Sequence, residues 1–118
     1  MNQKRSQNTV RKGWRAALLV LLLVSVTQIQ AQTQAAMNAQ ARREFEKADA
    51  DLNKTYNAVL AKLPDALSKQ SLKASQRAWL SFRDAEAALA ADKARGGSMA
   101  PPIRYETMTE LTQQRIKC

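Results

Sequence analysis

The sequence contains no histidine and a single cysteine, Cys118. Without imidazole, and with one thiol, the usual zinc sets, Ser-His-Asp triads and Cys-His pairs cannot be assembled from this chain. Cys118 cannot close a disulfide within the chain either; it reads as a frayed terminal thiol, its other use being an intermolecular disulfide. Paired carboxylates are also missing in a usable form. Glu44 and Glu46, Asp49 and Asp51, and Asp84 and Glu86 each stand two apart, so they point to different sides of a helix and do not converge as a glycosidase pair would. The chain is therefore read as noncatalytic, with no catalytic residue, no metal ligands and no cofactor site. Glycine and proline are scarce at three each, and neither an internal repeat nor the alternating pattern of a strand is visible.

What is present divides at about residue 31. Met1 to Arg15 carries Lys4, Arg5, Arg11, Lys12 and Arg15 with no acid, and the apolar run AALLVLLLVSV follows from Ala16 to Val26. This order is that of a secretory signal. Ile29 and Ala31 offer a cleavage pattern, so the cut is placed after Ala31, with Ala35 or Ala36 as later candidates. An apolar run of eleven residues falls short of the roughly 20 needed to cross a bilayer, which favours cleavage over a retained anchor and leaves no stable membrane span afterwards. No lipobox cysteine follows the apolar run, so a lipid-anchored form is not expected. The expected organisation is a signal peptide at 1–31 and one domain at 32–118, periplasmic or secreted.

Export changes the charge. The whole chain carries +9, and removing the first 31 residues leaves 14 Lys and Arg against 10 Asp and Glu, a formal +4. Those cations are interspersed with acids rather than gathered in a stripe, so the footprint of a nucleic-acid binder is absent. A weak preference for anionic envelope polymers is the most that such a surface supplies.

The mature segment reads as all-α. Apolar or small residues at Met37, Ala41, Phe45, Ala48, Leu52, Tyr56, Val59 and Leu63 recur at three- and four-residue steps, one face of a long amphipathic helix. Pro64 ends it, because the residue before proline is pushed out of helical geometry. A second helix begins between Asp65 and Ser71, with Leu72, Gln76, Trp79, Phe82, Arg83, Glu86 and Leu89 as its inward positions, and Arg95-Gly96-Gly97-Ser98 stops it. Met99 to Pro102 reads as a rigid connector. A third helix is expected from about Thr107, with Thr107 and Glu110 at capping-box spacing and Met108 and Leu111 inward. Two long helices joined by a short turn hide their stripes against each other, so the expected fold is a long antiparallel helical hairpin with a shorter third helix laid across it. Eighty-seven residues bury only about 60 to 65 per cent of their unfolded surface, so a partner or a homo-oligomer would add useful burial.

The stretch SQRAWLSFRDAEAAL, residues 75–89, is the densest in unusual side chains. Gln76, Trp79, Arg83 and Glu86 share one helix face, the face that ought to be buried. Buried polar groups need partners, and an inter-helix network of Asn53, Gln76 and Arg83, joined by Arg115 or Thr112, would supply them. The competing reading is a groove that presents Arg83, Trp79 and Gln76 to a peptide or glycan. Arg77 with Asp84, and Arg83 with Asp84, read as surface pairs of small energy. The candidate polar seam or binding set is Asn53, Tyr56, Gln76, Trp79, Arg83, Asp84, Thr112 and Arg115.

These residues also carry a resemblance. Met37-Asn38, the LNxxY set at Leu52, Asn53 and Tyr56, the QRAWLxFRDAE run from Gln76 to Glu86, Gly96-Gly97-Ser98, and LTxxR ending at Arg115 occur in that order. Together they resemble the lysozyme inhibitor LprI-like N-terminal domain family of small exported bacterial helical proteins, over nearly the whole of residues 33–115. The resemblance implies an exported binding protein whose partner is lysozyme or another envelope protein, or which binds cell-wall material. The alternative is a structural or assembly protein of the envelope that completes its core against itself or another chain; a membrane-anchored scaffold is a third reading. The family typically has cysteines where this chain has Gln40, Ala87 and a residue near Thr107. Its disulfides, each worth typically about 2–4 kcal/mol, are then replaced by packing or by a partner.

Overall fold

The computed structural model describes residues 3–118, with side chains from Gly13 onward apart from Ala16. The expected charged start of the signal, Lys4, Arg5, Arg11 and Lys12, lies outside the described side chains. Three helices make up the chain, α1 at Gln3–Lys62, α2 at Ala66–Asp92 and α3 at Ala100–Lys117, and no strand occurs among the described residues. Two units are distinguished, one reaching to Ala36 and one spanning Met37–Cys118.

In the first unit the apolar segment is fully exposed, Leu18 to Val26 included. An 18-residue window there has a mean hydropathy of 1.6, which satisfies the length and composition of a membrane span as well as those of a signal. The window extends beyond the run of eleven only by including Thr27, Gln28 and Gln30 or further flanking residues beside Ile29. The hydroxyls of Ser25, Thr27 and Thr33 donate to the carbonyls of Leu21, Val24 and Ile29 at 2.6, 2.8 and 2.9 Å. That returns their polar hydrogens to the helix's own backbone, while Gln28, Gln30 and Gln32 remain exposed between them.

The second unit is an antiparallel helical hairpin joined by a third, shorter helix. α1 stops at Lys62, ahead of Pro64 as its chemistry requires. Asp65, in extended geometry, caps α2. Its carboxylate accepts from the Ser68 amide at 2.8 Å and the Ser68 hydroxyl at 2.7 Å. α2 ends at Asp92, and a run of short turns leads to Gly96, whose φ of +77° only glycine adopts without strain. Gly97 is confined as well, since a Cβ there would meet the Ala94 carbonyl oxygen at 3.2 Å.

α3 differs from the expectation in its start and its course. It begins at Ala100, and the segment read as a connector is its first turn. Proline suits that place, because its missing N–H is one that no helical carbonyl would have accepted and its φ is already helical. Thr107 lies in the middle of α3 and caps nothing; its hydroxyl donates back to the Ile103 carbonyl at 2.8 Å. Met108 is buried and Leu111 half-buried, as expected. α3 runs antiparallel along α2 instead of lying across the hairpin: Arg115 meets Ser75, and Ala100 and Arg104 lie near Ala91.

The inward stripe of α2 also differs. Gln76, Arg83 and Ala87 are buried, whereas Phe82, Leu89 and Glu86 are exposed, Phe82 at 50% and Leu89 at 62%. The cause is the close approach of α2 to α3. Helix separation is set by the side chains between the helices, and Ala87 is fully buried. The buried apolar residues are Ala41, Ala48 and Ala87 together with Leu52 and Met108.

The Asp65 cap has a pH signature. The two Ser68 hydrogen bonds hold its carboxyl below the usual carboxylate value. A lowered folded pKa adds stability that is complete above the unfolded value of about 3.9 and is lost as pH falls through the folded value. Circular dichroism during acid titration is expected to show Asp65→Asn, which keeps a capping oxygen, with a shallower loss of stability below about pH 4. Asp65→Ala is expected to be less stable than wild type already at neutral pH.

Candidate functional site

The polar residues of the second unit are organised around Arg83, which is 6% exposed and therefore needs partners for its charge. Its Nη1 donates to Asp49 Oδ1 on α1 at 2.9 Å, and its Nε and Nη2 both meet Asp84 Oδ1 at 3.0 Å. Two aromatic rings lie against the guanidinium as well. Its Cζ lies 5.1 Å from the centre of the Phe45 ring and 5.5 Å from that of Trp79.

The stack continues in both directions onto α3. Tyr105 packs against Phe45 with ring centres 6.0 Å apart and planes tilted by 37°. Arg115 covers the Trp79 ring at 5.7 Å and donates to the Ser75 hydroxyl at 3.3 Å. The resulting order is Tyr105, Phe45, Arg83, Trp79, Arg115, so that α3 supplies both ends, α1 one ring, and α2 the central cation and the second ring. Aromatic faces attract cations by about 0.5–2 kcal/mol, more where water is excluded.

The sequence-predicted residues divide around this stack. Arg83, Trp79, Arg115 and Asp84 belong to it directly. Asn53 is exposed and joins at one remove, its Nδ2 donating to Asp49 Oδ2 at 3.4 Å. The expected direct network of Asn53, Gln76 and Arg83 does not form, because Asp49 takes the place in front of Arg83 that was assigned to an amide. Arg83 with Asp84 is not a surface pair, since the arginine is buried. Gln76 is buried and Tyr56 half-buried, both beside a groove on the Leu52 side of the stack. Thr112 is fully buried, and its hydroxyl has no hydrogen-bond partner.

Three participants escaped the sequence reading of the site: Asp49, Phe45 and Tyr105. Asp49 was considered only as half of an acidic pair. The signal that finds it is its spacing, four residues from both Phe45 and Asn53, which puts it at the edge of the α1 stripe facing Arg83.

The family described as lysozyme inhibitor LprI matches residues 26–118, which include every residue of the stack. The chain belongs to the lysozyme inhibitor LprI family. Among curated proteins, an uncharacterised protein of Rhizobium meliloti (strain 1021) is 38% identical over 97 residues, covering 72% of this chain and 70% of the relative. No solved structure matches the chain. At the places where LprI-like proteins were expected to carry cysteines, this member has an exposed Gln40, a fully buried Ala87 and a half-buried Thr107. Its one cysteine, Cys118, is a free, exposed thiol.

Arg83 is expected to be the most sensitive of these positions. Breaking a buried ion pair typically costs about 3–5 kcal/mol. Here the carboxylates of Asp49 and Asp84 keep 35% and 51% of their surface and re-solvate when orphaned, so Arg83→Ala is expected to lose about 2–3 kcal/mol. Arg83→Lys keeps the charge but not the planar stack or the fork, and is expected to recover less than half of that in urea unfolding.

Proposed function

We propose that residues 32–118 act, after export directed by residues 1–31, as a noncatalytic binding protein that restrains a lysozyme in the bacterial envelope. Membership of the lysozyme inhibitor LprI family is the observation that carries this reading. Export is supported by the exposed apolar helix at the N-terminal end, whose hydroxyls are folded back onto its backbone.

The contact surface we assign to the partner is the outward ridge of α2. Phe82, Glu86 and Leu89 follow one another at steps of four and three along it and are all exposed. Aromatic and aliphatic side chains beside a carboxylate suit a basic protein partner, because apolar anchors supply the binding energy and opposite charge orients the encounter. The net charge of +4 on the processed chain makes that local acid necessary. The Arg83 stack has a different part in this reading: it holds α2 rigid from behind, so that the ridge is presented without an ordering cost on binding.

The test is lysis of peptidoglycan by lysozyme in the presence of the processed chain. Dose-dependent slowing is expected. The double substitution Phe82→Ser with Leu89→Ser, both at exposed positions, is expected to relieve it with unchanged helical circular dichroism. Undiminished lysis at a large molar excess of the wild-type chain contradicts the proposal.

A further inference from the structure

A groove of about 320 Å³ opens between α1, α2 and the last turn of α3. Leu52, Leu72 and Ile116 wall it, and Gln76, Arg115, Tyr56 and Cys118 are among its polar members. Gln76 is 8% exposed, yet its carboxamide makes no hydrogen bond among the described residues. The carboxamide is not sealed off, since Thr112 Oγ1 is the unpartnered side-chain atom shut away from solvent among the described residues; it opens on the groove, where an entering polar group can pair with it.

Arg115 is unbalanced in a complementary way. No carboxylate of the described residues lies within ion-pair distance of it. One hydrogen bond to Ser75 and one face on Trp79 leave the rest of its donors uncommitted. The groove thus combines a free carboxamide, which can both donate and accept, an uncompensated guanidinium, and aliphatic walls. A peptide amide matches the first, a carboxylate the second, and a branched aliphatic side chain the third.

We propose that this groove binds the free C-terminal end of a peptide whose last residue is aliphatic, with the carboxylate on Arg115 and the last peptide amide on Gln76. The volume sits at the low end of the roughly 300–1,000 Å³ usual for ligand pockets, which suits a dipeptide end and excludes a folded domain. The site is separate from the α2 ridge, so its occupancy does not depend on whether the chain restrains lysozyme.

The probe is N-acetyl-alanyl-leucine, titrated into the full chain in mild detergent micelles while the methyl signals of Leu72 and Ile116 and the carboxamide signals of Gln76 are followed by NMR. Saturable shifts confined to these groups are expected. The same dipeptide with an amidated C-terminus is expected to bind at least about tenfold more weakly, because the charge-assisted bond is lost. Arg115→Gln is expected to weaken the acid by a similar factor and Gln76→Leu by about fivefold. If either variant fails to fold, the acid-against-amide comparison on the wild-type chain decides alone. Equal binding of acid and amide, no saturable shift from a folded chain, or equally tight binding of isovalerate overturns the proposal, the last by making the groove a site for simple carboxylates. None of these results bears on the lysis experiment.

Discussion

A buried guanidinium in a core made largely of alanine is the constraint on which the helical unit depends. A charge in that position is tolerable only while its hydrogen-bond donors and its faces are all engaged. Asp49 and Asp84 engage the donors, and the Phe45 and Trp79 rings lie against the guanidinium. Asp49 and Phe45 stand one helical turn apart on α1, so any slip of α1 along α2 removes both from Arg83 together. The arginine therefore selects one register where alanines alone would allow several. Tyr105 and Arg115 extend the same demand to α3 by closing the two ends of the stack.

The small core and the polar stack follow from one another. Ala87 is fully buried and α2 packs closely on α3, while Phe82 and Leu89 are turned outward. Burial of large hydrophobic groups is thereby given up on the inside and reappears as an exposed ridge on the outside. The stack compensates with flat groups that cover one another, giving a single arrangement without the disulfides expected of LprI-like proteins. Its polarity also reaches the groove, where Arg115 uses one face on Trp79 and keeps other donors turned to the opening.

Much of the fold was legible because its punctuation is chemical. Pro64 and Asp65 end one helix and cap the next, and Gly96 supplies the left-handed residue after α2; each of these acts through its own backbone or side chain and needs no tertiary context. The α1 stripe was legible in part: Ala41, Ala48 and Leu52 are buried and Phe45, Tyr56 and Leu63 half-buried, whereas Met37 and Val59 are exposed at 42% and 43%. α3 was misplaced because proline has two meanings, a break inside a helix and a good residue at its start, and Met99 offers no capping side chain to tell them apart. The α2 stripe was misread by taking apolar bulk as the mark of burial, when the buried positions are Gln76, Arg83 and Ala87. Of the site, Arg83, Trp79 and Arg115 were visible from their spacing. Asp49, Phe45 and Tyr105 were not joined to them, because their partners are set by tertiary packing across 34 or more residues of chain.

The central claim, that one stack holds three helices as a single unit, is tested most directly by native-state hydrogen exchange under mild denaturant. The account predicts that backbone amides around Phe45 to Leu52, Trp79 to Ala87 and Tyr105 to Thr112 exchange with one common free energy of opening. Exchange of the α1 segment at markedly lower free energy than the α2 and α3 segments would contradict it, for then α1 could leave Arg83 without the others.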